Sequence, residues 1–214
     1  MKKQLIMIVS TLLLLPLFVA CGNKGIGDEN QGASSNETPP VTEPAQKKTT
    51  RLSGDEVLYN GIGSETMETE LVDKLGKPLR TEDESMGEGM GYTKYFYEDA
   101  EYDFFYDQLS STQHMLSYII INSSSAQEGP RGLKIGDTLE QVLAQYPQEK
   151  DWQTDVNGSF YGEDTFNGNA GAVYKDENGT PNLIILTPVD IVPFMRIDIT
   201  ENKVSSYTLC FELH

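Results

Sequence analysis

The 214-residue chain carries 33 acidic and 16 basic residues, a formal charge of −17, and residues 51–214 hold 29 of the acidic side chains against 11 basic ones, or −18. Such a surface repels phosphate backbones, which disfavours nucleic-acid binding, and it disfavours lying flat on anionic lipid; its plainest role is solubility. Two cysteines, Cys21 and Cys210, are too few for a disulfide framework if either is modified.

The chain opens with Lys2 and Lys3, then an apolar run from Leu5 to Ala20 broken only by Ser10, Thr11 and Pro16. A positive start followed by about 16 apolar residues is the grammar of an export signal, and is short of the roughly 20 needed to span a bilayer. Phe18-Val19-Ala20-Cys21 resembles the bacterial lipobox, with Phe where Leu is usual. The resemblance implies palmitate-type acyl chains on the Cys21 thiol and cleavage just before it, so that 1–20 is a signal peptide. Each buried methylene adds about 0.8 kcal/mol, so two chains hold where one leaks. The competing reading is an ordinary secretory signal with a chance cysteine. Localisation is then the extracytoplasmic face of the cell membrane, with the lipid bilayer as a partner through Cys21. Residues 22–50 have no aromatic residue and only Ile26 and Val41 as large aliphatics. They read as a flexible tether of roughly 30 Å root-mean-square span.

Residues 51–214 fit one domain. Within it, Gly61-Ile62-Gly63-Ser64 leads through a helical pattern to Leu75-Gly76-Lys77-Pro78. Lys134-Ile135-Gly136-Asp137 leads in the same way to Tyr146-Pro147, about 70 residues later. In the first pattern Ser64 caps, Met67, Leu71, Val72 and Leu75 form the apolar stripe, and Gly76 stops the helix. In the second, Asp137 and Glu140 form a capping box, and Leu139, Val142, Leu143 and Tyr146 form the stripe. Strands are expected at 92–97, 101–107, 115–121, 170–174, 183–187, 194–199 and 204–211, joined by polar turns such as Asp176-Glu177-Asn178-Gly179. The predicted fold is α+β: two tandem helix-plus-antiparallel-sheet repeats, about 54–122 and 131–214, with helices packed on one face of the sheet.

GLKIGDTLEQVLAQYP and LVDKLGKP, each followed by antiparallel strands, resemble the repeats of β-lactamase-inhibitor-protein-like domains. They are also similar to the small lipoprotein of the outer-membrane barrel-assembly machinery. The resemblance implies binding of other proteins through an open sheet face, without catalysis; it carries fold more than function.

Chemistry is sparse. After the signal only His114 and His214 remain, and the chain has no G-x-S-x-G, H-E-x-x-H, C-x-x-C or phosphate-binding Gly loop. Cys210 reads as a small strand residue without a base. Glu98-Asp99-Ala100-Glu101-Tyr102-Asp103 lies on a predicted hairpin, and Asp155-Val156-Asn157-Gly158 and Asp176-Glu177-Asn178-Gly179 lack a full calcium-loop pattern, so all three read as solvated turns. The expectation is therefore a non-enzymatic binding module, without cofactor or metal, that scaffolds or inhibits another envelope protein. The alternative is a small acidic-residue hydrolase or a carbohydrate-binding domain; solute capture for a transporter is disfavoured by size.

Strand alternation sorts the candidate partner-binding residues. If Tyr102, Phe104 and Tyr106 face the core, Asp103 and Phe105 face out. If Met195, Ile197 and Ile199 face the core, Phe194 and Arg196 face out. Thr208 shares the outward side with Ser206 and a partly sheltered Cys210. Trp152, the only Trp, either joins this surface or caps the core. The competing reading covers Phe105 and Phe194 with the Gly-rich loop 157–171.

Overall fold

A short 3-10 turn at Gly54–Glu56 precedes helix α1 (Glu68–Leu75) and strands β1 (Arg80–Gly87), β2 (Met90–Phe96), β3 (Glu101–Asp107) and β4 (Met115–Ile121). Helix α2 (Leu139–Leu143) and strands β5 (Ser159–Tyr161), β6 (Ala170–Lys175), β7 (Pro181–Thr187), β8 (Phe194–Thr200) and β9 (Lys203–Cys210) follow. This computed structural model describes residues 50–109, 114–188 and 192–212. The export segment, Cys21, the tether up to residue 49 and His214 lie outside the described residues.

Among the described residues, nine strands form one antiparallel sheet, in the order β1-β2-β3-β4-β9-β8-β7-β6-β5. This overturns the expected α+β architecture of two helix-plus-sheet repeats: the fold is largely β. The physical reason is twofold. α1 has eight residues and α2 only five, too little surface to form a helical layer. The strands after each helix also join into one ladder, because β4 pairs with β9 through Tyr118↔Cys210 to Ile121↔Tyr207.

Alternation gives the sheet two unlike faces. Tyr102, Ile119, Leu209, Met195 and Leu186 stand opposite one another on successive strands and are all buried. The row Ile121, Tyr207, Ile197 and Ile184 lies beside them. The same core includes Leu52, Val57, Tyr59 and Ile62 from the segment before α1, and Leu139, Val142, Leu143 and Tyr146 from α2 and its last turn. The α2 stripe is thus as the spacing predicts. In α1 only Leu71 is fully buried, while Val72 is 41% exposed.

Helix starts differ from the sequence reading. Thr66 Oγ1 accepts a hydrogen bond from the Gly63 N–H at 3.2 Å, and the Thr66 N–H returns one to the Gly63 carbonyl. That turn takes up the residues expected to begin the helix at Ser64. For α2 the reciprocal cap is one residue later than Asp137 and Glu140. Thr138 Oγ1 accepts from the Gln141 N–H at 3.3 Å, and Gln141 Oε1 accepts from the Thr138 N–H at 2.7 Å. Gly76, at φ 80°, ends α1 as expected.

Arg131 ties the segment before α1 to the second half of the domain. Its guanidinium donates to both oxygens of Glu56, at 2.7 and 2.8 Å, and to the carbonyls of Thr50, Arg51 and Gln145. It also lies 4.7 Å from the centroid of the Tyr146 ring. The Arg131 hydrogen bonds hold the Glu56 carboxyl down to about 2, against the opposing effect of burial.

Candidate functional site

The sheet face opposite the core gathers five of the six predicted contact residues. Lys94, Asp103, Tyr118, Cys210 and Phe194 form one cross-strand row. Glu101, Ile120, Thr208, Arg196 and Ile185 form the next. Tyr92, Phe105 and Met115 make a third. Asp103, Phe105, Phe194, Arg196 and Thr208 therefore share one surface, because the paired residues stand two positions apart along β3 and β8 and the registers align.

Most of this surface is half-exposed, and Met115 is 52% exposed. Tyr92 packs edge-on against Phe105 at 5.7 Å and leans on Tyr118 at 6.0 Å, so the aromatic rings form a continuous strip. The Arg196 side chain is 52% exposed and pairs with Asp198 Oδ1 at 2.9 Å; Asp198 Oδ2 accepts from Ser206 Oγ. Loop 157–171 includes β5 and the start of β6, at the far edge of the sheet, whereas Phe194 stands on β8 and Phe105 on β3.

Two residues on this face are more deeply placed than expected. Asp103 is only 3% exposed, and one of its carboxyl oxygens has no hydrogen-bond partner. The other lies 3.7 Å from Lys94 Nζ, which also meets Glu84 at 2.6 Å and Glu101 at 3.6 Å. One ammonium shared by three carboxylates leaves Asp103 under-compensated. Burial, then the neighbouring Glu101 charge, pushes it up to about 7. Cys210 faces this side as expected, yet it is 4% exposed instead of partly sheltered, and burial pushes its thiol up to about 12. Its neighbours in the row, Tyr118 and Phe194, are large, which accounts for the deeper shelter.

Trp152 lies apart from this strip. It packs against the core and lines a cleft of about 560 Å³ at the β5–β6 end of the sheet, with Lys175 Nζ 5.1 Å from its ring centroid. The cleft is also lined by Val156, Ser159, Phe166 and Tyr174, which the sequence reading missed. The available signal was a lone Phe inside the Gly- and Asn-rich stretch 162–171.

Of the three acidic stretches, 155–158 and 176–179 behave as turns, whereas in 98–103 strand β3 begins at Glu101 and Asp103 is buried. Asp155 Oδ1 accepts from the N–H groups of Asn157 and Ser159, and Asp176 Oδ1 from those of Asn178 and Thr180. His114 has Nδ1 2.6 Å from Glu68 Oε2, and its ring tilts against Tyr106 at 5.5 Å. Among the described residues, no group of three or more His, Cys, Asp and Glu side chains is placed to hold a metal ion.

Comparisons with protein families, with curated proteins and with solved structures found no match, so function rests on the geometry of these surfaces.

Proposed function

We propose that the chain is an extracytoplasmic lipoprotein, held to the membrane by acyl chains on Cys21, that binds another envelope protein through its open sheet face without catalysis. The observation that carries this reading is the shared surface of Phe105, Phe194, Arg196 and Thr208 beside the strip of Tyr92 and Tyr118. Aromatic side chains beside an Arg are enriched at interface hot spots, and here they lie on regular strands that fix their positions. Glu84, Glu101 and Asp103 converge on Lys94, an arrangement suited to holding a structural charge cluster together. The anchor is supported by Lys2, Lys3, the apolar run and the Phe18–Cys21 tetrad.

The test replaces Phe105, Phe194 and Arg196 together with Ala in tagged full-length protein and compares what each form captures from membrane extract. A second triple, at the exposed Glu65, Lys77 and Leu109, is the control. The reading expects capture to vanish only with the first triple, while thermal unfolding stays cooperative. Intact capture with the first triple moves the site elsewhere. Cys21→Ser should shift the protein from the membrane pellet to the soluble fraction, and retention in the pellet would overturn the anchor.

A further inference from the structure

We infer that the cleft at the β5–β6 end of the sheet is a binding site for a neutral saccharide. The inference is independent of the open-face reading, since neither Phe105 nor Phe194 lines this cleft. Its volume, about 560 Å³, is that of an ordinary small-ligand pocket.

The walls are preorganised, and they hold apolar groups out in water. On one side Asp164 Oδ1 accepts from the Phe166 N–H at 2.8 Å, and the buried Thr165 hydroxyl bonds to the Tyr174 hydroxyl at 3.0 Å. These two contacts turn Thr165 inward and leave Phe166 78% exposed. On the other side Asp155 clamps the backbone of Asn157 and Ser159. Gly158, at φ 68°, lies so close to the Val173 carbonyl that no side chain fits there. Val156 projects from this loop at 94% exposure. Two turns held by backbone hydrogen bonds, one displaying Phe166 and the other Val156, forgo the burial energy of both side chains, which a ligand can recover.

The polar groups narrow the ligand class. The Ser159 hydroxyl lies beside Asp155, whose carboxyl is held low chiefly by the N–H groups of Ser159 and Asn157, and it is buried and makes no hydrogen bond of ordinary geometry. Such a group costs stability unless something satisfies it. A wholly apolar ligand would leave the Ser159 hydroxyl and the Asn157 side chain without water or a partner. An anion would meet Asp155 and Asp164 with Lys175 as the one cation in the lining. A small polar solute would leave Phe166 and Val156 wet. A sugar ring offers a C–H face for an aromatic side chain and hydroxyls around its edge that both donate and accept.

Trp152 is the only Trp in the chain and lines the cleft, so its emission reports occupancy directly. Full-length protein is titrated with cellohexaose, maltohexaose and chitohexaose, each neutral, and separately with oligo-lysine. The inference expects a saturable emission change with at least one hexasaccharide, and about tenfold weaker binding in Phe166→Ala at unchanged thermal stability. It is overturned if no hexasaccharide changes the emission up to about 10 mM, if Phe166→Ala binds as tightly as wild type, or if oligo-lysine alone saturates the signal.

Discussion

Replacing Glu56 with Gln removes one charge from the contact that joins the segment before α1 to Arg131, and its cost can be worked out. The carboxyl falls from its ordinary 4.5 to about 2, chiefly through the Arg131 hydrogen bonds. At about 1.4 kcal/mol per pKa unit this sets a ceiling of roughly 3 kcal/mol. The Glu56 side chain is 33% exposed, so solvent screens part of that, and about 1–2 kcal/mol is expected near neutral pH. Because the folded value lies below the unfolded one, the contribution is present above about pH 4.5 and is lost as pH falls toward 2. Urea unfolding followed by Trp152 emission should show Glu56→Gln less stable than wild type near pH 7. The two should converge as pH drops from about 4.5 to about 2. A gap that holds constant over this range would refute the charge-based account and assign the effect to shape.

Asp103 has the opposite sign. Its folded value, about 7, lies above the ordinary 3.8, so its ionisation costs stability as pH rises from about 4 through about 7. Asp103→Asn should therefore be more stable than wild type near pH 8, by roughly 1–3 kcal/mol, and nearly equal near pH 4; an equal gap at both would refute this. Cys210, buried and pushed up to about 12, should resist alkylation near pH 8 in the native protein and react stoichiometrically in concentrated guanidinium chloride. Rapid native labelling would contradict the burial of that row.

Local patterns in the sequence carry the sidedness of the strands but not the architecture. Alternation in Glu101–Asp107, Phe194–Ile199 and Val204–Phe211 assigns Phe105, Phe194, Arg196 and Thr208 to one face, and the registers agree. What alternation lacks is the long-range pairing of Tyr118 with Cys210, which merges two meanders into one sheet and displaces the helices from the leading role. β1 was invisible for another reason. Its eight residues, Arg80-Thr81-Glu82-Asp83-Glu84-Ser85-Met86-Gly87, are all exposed and acid-rich, so they show no apolar period; pairing along β2 makes them a strand. β5 is only three residues long, below any useful window. The cleft escaped notice because Trp152, Val156, Phe166 and Tyr174 come from separate turns and strands and meet only in the fold. Asp103 was read correctly for direction and wrongly for depth, since alternation says which side a residue takes and nothing of how tightly its neighbours close over it.

The central claim, that a protein covers the open face in the cell, is tested most directly by site-specific photocrosslinking of the full-length protein. A photoreactive amino acid at Arg196, whose side chain is 52% exposed on that face, is compared with one at the exposed Glu65 near α1. The account predicts a discrete higher-mass adduct at Arg196 that is absent at Glu65. No adduct at Arg196, or the same ladder from both positions, would contradict it.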